Sequence, residues 1–367
     1  MEFSRTALKI ALISALIYSC KERGNQPDSV GLYHSQQFRN YWHAGKAEVS
    51  SYSLKQSRYG EDRNGKAVLI FVTEDLSKKL QVKLDDPSRR NKINVLKLNF
   101  TKNFITGIYP YSLMLSVFTP TNRENEPSSL KATMSSQEWC GQVYTQLNLR
   151  GNRYAIKSHS YFEQEADQQF SLRQAFLEDE IWNFIRLDHE NLPQGEFEMI
   201  PGLFYTRLNH VDLTIRKAIG KKSETDTEYT YNITFPDEEK SLSIRYEKTF
   251  PFKILGWKES WNERGNTMET TASLDETLFT DYWTKNKNEF LWEAWSGTSE
   301  EGYIARYNQA RHLKRGTDIM LRVERNWRFS QLNFSLGLLP IYRITNDEIT
   351  LPNGTEVKPH GAKGLAL

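Results

Sequence analysis

From residue 45 to about residue 280 the chain is a succession of short runs in which apolar and polar residues alternate, separated by polar turns. Residues 47–54 put Ala47 and Val49, then Tyr52 and Leu54, on apolar positions, with a slip of phase between the two pairs. Ala67-Val-Leu-Ile-Phe-Val-Thr73 is a continuous apolar run suited to a buried strand. Residues 80–84 and 93–100 alternate, and Asp62-Arg-Asn-Gly65 and Asp85-Asp-Pro-Ser88 are turn signals. The texture continues through residues 130–149, 154–170, 197–208, 211–219, 227–235 and 242–250. Residues 254–261 and 267–273 read as a hairpin around Asn262-Glu-Arg-Gly265, and residues 119–129 as a surface loop. Strand side chains change face at every residue, so these runs predict antiparallel strands rather than βαβ units. Helices are predicted at residues 33–42, 176–187 and 278–290. In the second, Phe176, Leu177, Ile181, Phe184 and Ile185 share one face and acids occupy the other. The expected fold class is mainly β with a few helices (β-rich α+β), built on a large twisted antiparallel sheet or half-barrel.

Both ends of the chain have a different texture. Arg5 and Lys9 precede an apolar run at residues 10–18, and Ile17-Tyr-Ser-Cys20 closes it. A run of about nine residues is too short to span a bilayer, which takes roughly 20. A small residue directly before a cysteine is where lipoprotein signal peptidase cuts, so Cys20 is the expected lipidation site. Residues 21–29 are polar and turn-rich, as in a flexible tether. The expected organisation is a signal peptide at 1–19, a lipidated tether at 20–40, a β-rich domain at 41–290 and a tail at 291–367. In the tail Leu321, Val323, Trp327 and Phe329, and then Leu332, Phe334, Leu336 and Leu338, sit on alternate positions. Two or three such strands cannot close a barrel. The tail therefore either extends the main sheet or is a fused or truncated fragment.

Aromatic residues make up 13% of the 367 residues, which favours pleated, half-buried surfaces. The net charge of +2 gives no electrostatic case for a nucleic-acid partner. With Cys20 lipidated, the second of the two cysteines, Cys140, has no intrachain partner, which excludes a disulfide scaffold.

Three groups of residues are candidates for chemistry. Cys140 could act as a nucleophile if His159 on a neighbouring strand served as its base, with Glu138 or Glu163 orienting the imidazole. The alternatives are a buried structural cysteine beside Trp139 and an intermolecular or redox role. Glu163, Glu165 and Asp167 are spaced two apart, so on a strand they would share a face. They could hold a cation, act as acid and base, or form a solvated face. Residues 107–114, with Tyr109 and Tyr111, and nearby Trp139 could line a groove for a lipid or peptide, or pack in the core. Zinc-ligand spacings and nucleotide-binding glycine motifs are absent from the sequence, so no cofactor is expected.

A set of strings carries a family resemblance: Tyr41-Trp-His-Ala-Gly-Lys-Ala-Glu48, Arg58-Tyr-Gly-Glu61, Phe71-Val-Thr-Glu74, Thr106-Gly-Ile-Tyr-Pro-Tyr111, Gln137-Glu-Trp-Cys-Gly141, Ser160-Tyr-Phe-Glu163, Glu165-Ala-Asp167 and Phe250-Pro-Phe252. Through them, residues 41–286 resemble a family of predicted lipoproteins from Bacteroidota whose members often carry the label "septum formation inhibitor Maf". Maf-type nucleotide pyrophosphatases have a Ser-x-Ser-Pro-Arg-Arg string, which does not occur here, and would require an α/β fold with a basic phosphate pocket. Family members stop soon after the position of Tyr282-Trp-Thr-Lys-Asn286, so the tail is an addition. The resemblance implies a lipid-anchored protein of the bacterial envelope, at the outer membrane. The expected function is non-enzymatic binding of an envelope lipid, glycan or protein. An envelope hydrolase using Cys140 with His159, or the acidic cluster, is the alternative.

Overall fold

The computed structural model describes residues 32–287 except 87 and 89, together with the backbone of short strands between 312 and 366. Cys20, the signal peptide and most of the tether lie outside the described residues. Eight strands run up and down in chain order: β1 (Ala47–Arg58), β2 (Glu61–Ser77), β3 (Lys92–Thr106), β4 (Tyr109–Pro120), β5 (Lys131–Glu138), β6 (Gly141–Arg150), β7 (Arg153–Ser160) and β8 (Gln168–Arg173). A short β9 (Phe176–Leu177) is followed by β10 (Gly195–Ile200), β11 (Arg216–Glu224), β12 (Glu228–Phe235), β13 (Lys240–Glu247), β14 (Ile254–Glu263) and β15 (Asn266–Thr280). β15 pairs with β1 and joins the two meanders into one 15-stranded open sheet, with β8 and β9 at its edges. Only Gln174 and Ala175 separate these edge strands in the chain, so the sheet curls back on itself around its apolar face. Among the described residues β9 and β10 are the parallel neighbours, and the rest of the sheet is antiparallel. The β-rich α+β expectation is met, and the fold is not the α/β architecture a Maf-type enzyme requires.

The phase slip at the start of the domain has a structural counterpart. The β1–β15 register shifts between Ser51 and Tyr52, a bulge that turns the strand over. Before it, Ala47 and Val49 pack with Val72 in a small cluster apart from the main core. After it, Tyr52 and Leu54 join that core, which runs along the inside of the curl from β1 to β15. Gly65 in β2 is required by close approach of β3, because a Cβ there would stand 2.4 Å from the Asn103 carbonyl oxygen.

Among the described residues three α-helices accompany the sheet. α1 (Gln36–Trp42) is capped by Ser35, whose hydroxyl accepts the Phe38 N–H at 3.0 Å, and it buries Phe38 and Trp42. α2 (Ile181–Asp188) is buried from Ile181 through Leu187 and fills the interior of the curl. It starts later than its apolar periodicity predicts, because Phe176 and Leu177 pair with β10 as a strand. The acids expected on its solvated face are buried instead. Glu180 accepts the N–H groups of Ser129 (2.8 Å) and Leu177 (3.0 Å), while Glu178 and Asp179 accept those of Gly202 (3.0 Å) and Leu203 (3.1 Å). The last two are otherwise unpartnered donors at the start of α3 (Leu203–Asn209), so buried acids of one element cap the next.

α3 is also a correction, since residues 197–208 read as one strand. Pro201-Gly202 ends β10, and the N–H of Gly202 turns to Glu178 rather than to a ladder. The alternation at residues 80–84 forms no strand beyond an isolated antiparallel bridge of Lys83 with Leu76. Gln81 adopts a left-handed φ of 56° and ties the loop to the Leu149 carbonyl through its side-chain amide at 2.7 Å. The helix expected at 278–290 is instead the end of β15 followed by a 3-10 turn at Tyr282–Thr284, with residues beyond 287 in this segment outside the described residues. The tail strands do not extend the main sheet. His312–Lys314, Glu348–Thr350 and Glu356–Val357 form one small sheet, and Asp318–Met320, Val323–Phe329, Leu332–Arg343 and Gly364–Ala366 another. No helix among the described residues is long and apolar enough to cross a membrane.

Candidate ligand-binding cavity

At one end of the curl a cavity of about 490 Å³ opens between the inner faces of β5–β8, the turn at residues 161–167 and α3. This volume lies within the range of about 300–1,000 Å³ usual for small-molecule sites. Its apolar wall includes Met134, Val143, Ile156, Phe170 and Leu203. These are inward positions of neighbouring antiparallel strands and the first residue of α3, which pleating and helix packing bring to one surface.

Polar side chains complete the lining, among them Thr145, Ser158, Gln168 and a group centred on Glu165. Glu165 is presented by a turn in which Ala166, at a left-handed φ of 45°, donates its N–H to the Phe162 carbonyl at 2.8 Å. The carboxylate accepts from Ser160 Oγ at 2.7 Å and Arg207 Nη1 at 3.0 Å, and its Oε1 lies 2.7 Å from His210 Nδ1. His210 ends α3 in the left-handed conformation (φ 53°, ψ 44°), where its N–H bonds to the Thr206 carbonyl. Burial favours the protonated form of Glu165, but the Ser160 and His210 hydrogen bonds and the Arg207 charge outweigh it and hold the carboxyl below its usual range. The Arg207 guanidinium lies 4.5 Å from the centre of the Phe162 ring. Its Nε is buried and has no hydrogen-bond partner.

Behind α3 is a second, closed cluster. Lys240 on β13 lies 2.6 Å from both Glu178 oxygens and 3.7 Å from Glu259 on β14, and Lys102 on β3 is 3.8 Å from Glu259. Phe100, Trp182, Phe204, Tyr205 and Trp257 surround them, leaving a void of about 20 Å³, room for one water molecule. Burial and the neighbouring Glu178 push the Asp179 carboxyl up to about 8.

The residues singled out from the sequence are dispersed. Cys140 sits exposed at the β5–β6 turn, not buried beside Trp139, and not within a strand. Its thiol and N–H both engage Glu138, which raises the thiol pKa through a hydrogen bond and its charge. His159 faces Asp167 at 3.3 Å, with both side chains largely in water. The two members of the expected thiol–imidazole pair thus have separate acidic partners. Glu163, Glu165 and Asp167 lie in a turn rather than on a strand face. Glu163 and Glu165 line the cavity and Asp167 does not. Among the described residues no group of three or more His, Cys, Asp or Glu side chains could hold a metal ion. Tyr111 is buried and stacks on Phe104 at 4.9 Å, and Tyr109 lies between Tyr111 (5.9 Å) and Trp139 (6.1 Å), all outside the cavity lining.

Sequence reasoning reached Glu165 but missed Arg207 and His210, which lay in segments read as strand and loop. Lys102, Lys240 and Glu259 had a signal. Each occupies the inward phase of an alternating strand, as in Phe100, Lys102 and Phe104. No family model, no curated protein and no solved structure matches the chain.

Proposed function

We propose that this protein is a lipid-anchored cell-envelope protein that performs no catalysis and holds an amphipathic envelope component in the cavity at the end of its curled sheet. The observation that carries this reading is the cavity itself, in which an apolar patch of Met134, Val143, Ile156, Phe170 and Leu203 adjoins polar side chains that include the Glu165–Arg207–His210 group. The anchor rests on the leader that ends at Cys20 and on the resemblance to envelope lipoproteins. The geometry of attachment is compatible with binding. α1 leads into β1 at the end of the sheet opposite the β1–β2, β5–β6 and β7–β8 turns, so a tether there would leave the cavity mouth facing away from the membrane.

Two measurements test the two halves. Metabolic lipid labelling should mark the wild type and not Cys20→Ala. Equal labelling, or none in either, removes the anchor. For binding, full-length protein is titrated with a panel of envelope lipids and glycans while the melting temperature is followed. A stabilising ligand should lose its effect in Ser158→Trp, which places a large ring in the cavity wall. No shift across the panel, or the same shift in the variant, refutes binding at this site.

A further inference from the structure

Resting on the cavity reading, we infer that the ligand is an acyl-chain amphiphile whose anionic head group, a carboxylate or a phosphate, docks on Arg207. Arg207 lies on the cavity wall and its side chain is only 5% exposed. All of its hydrogen bonds among the described residues leave from Nη1, to Glu165 and His210, while Nε is buried without an acceptor. A guanidinium carries five N–H donors in a fixed plane, and leaving one unmet in a buried site is unfavourable. An oxyanion entering the cavity beside the guanidinium pairs with donors that Glu165 and His210 leave free, through charge-assisted bonds.

The rest of the wall selects what accompanies the head. Met134, Val143, Ile156, Phe170 and Leu203 present no charge and form an apolar patch, with Thr145, Ser158 and Gln168 beside it on the same strands. An alkyl chain laid along these side chains loses only water. Glu165 is already saturated by Ser160, Arg207 and His210, so its charge is largely spent within the cluster. Glu163 and Asp212 complete the acidic groups of the cavity, and both are exposed. They define the competing outcome, in which a cationic head sits at the rim.

The test is isothermal titration of the full chain with four single-chain probes of equal length, each below its micellar concentration: dodecanoate, dodecyl phosphate, dodecanol and dodecyltrimethylammonium. The expected result is that one or both anions bind at least about tenfold tighter than the alcohol and the cation, as charge-assisted bonds to one arginine allow. Which anion binds more tightly tells a fatty-acid head from a phospholipid-type head. In Arg207→Gln the preference should vanish while dodecanol affinity stays. Should that variant fold poorly, Glu165→Gln serves instead. It frees Arg207 from a competing carboxylate and should tighten the anions several-fold. Equal affinity for all heads, a preference for the cation, or no tightening in Glu165→Gln overturns the head-group assignment while leaving an amphiphile cavity in place. Failure of all four probes to bind overturns the cavity reading itself.

Discussion

Glu48→Gln tests what holds the inner helix to the sheet. Glu48 on β1 and Arg186 on α2 are each 0% exposed and meet in a bidentate pair at 2.6 and 2.5 Å. The Tyr41 hydroxyl also donates to Glu48, Arg186 Nε bonds to the Pro251 carbonyl at 2.8 Å, and the guanidinium lies 4.6 Å from the Phe71 ring centre. The pair therefore ties together α1, β1, α2 and the loop before β14. Burial would raise the Glu48 carboxyl, but Arg186 and Tyr41 outweigh it and hold it below the ordinary range. Glutamine preserves shape and removes the charge, so Arg186 remains charged in an enclosed site. Breaking a buried pair on one side costs about 3–5 kcal/mol. With a urea m-value of about 3 kcal/mol/M, the unfolding midpoint should fall by about 1–2 M. Fluorescence reports it directly, since Trp42 is buried beside the guanidinium, 5.2 Å from its ring centre. Arg186→Met should be comparably damaging, and the double variant should recover much of the loss, because no uncompensated charge is then buried. A loss below about 1 kcal/mol in Glu48→Gln, the level of an exposed pair, would refute the reasoning by showing that water reaches the site. A double variant as weak as the sum of the singles would refute it too.

Asp179 gives a pH dependence of unusual sign. Its carboxyl is raised in the fold to about 8, so the folded state keeps a proton that the unfolded chain releases at ordinary carboxyl pH. Its contribution is complete below the unfolded pKa and is lost as pH rises through about 8, by up to about 1.4 kcal/mol per pH unit between the two values. Asp179→Asn should flatten the denaturation midpoint between pH 5 and 8, and an unchanged slope would contradict the assignment. Glu48 acts oppositely, its contribution being lost as pH falls through its lowered pKa. At Cys140 the Glu138 carboxylate disfavours the thiolate, so Glu138→Gln should speed modification of this exposed thiol by an aromatic disulfide several-fold. An equal or slower rate would exclude Glu138 as the controlling group.

The strand content and one break in strand phase were legible because they depend on local alternation. The slip between Val49 and Tyr52 marks a real bulge, and Asn262-Glu-Arg-Gly265 marks a real hairpin whose Gly265 donates to the Asn262 side chain at 2.8 Å. Phe197 to Leu208 failed for a reason local pattern cannot contain. Helix α3 depends on Glu178 and Asp179 at its start, and these acids are brought there by α2. The same non-local step turned the acids before α2 from a solvated face into buried caps.

By itself the sequence determined that the chain builds antiparallel strands, since period-two alternation dictates which side chains share a face whatever lies opposite. The inward phase of Lys102, Lys240 and Glu259 shows in the structure, and phase alone cannot say what neutralises a buried charge. Closure of the two meanders through β1 and β15, the Glu48–Arg186 tie and the meeting of Glu165 with Arg207 and His210 were decided only in the tertiary structure. Each joins residues whose separation in the chain carries no local signal. Each forms because burial leaves a charge or a hydrogen-bonding group with few places to find its partner.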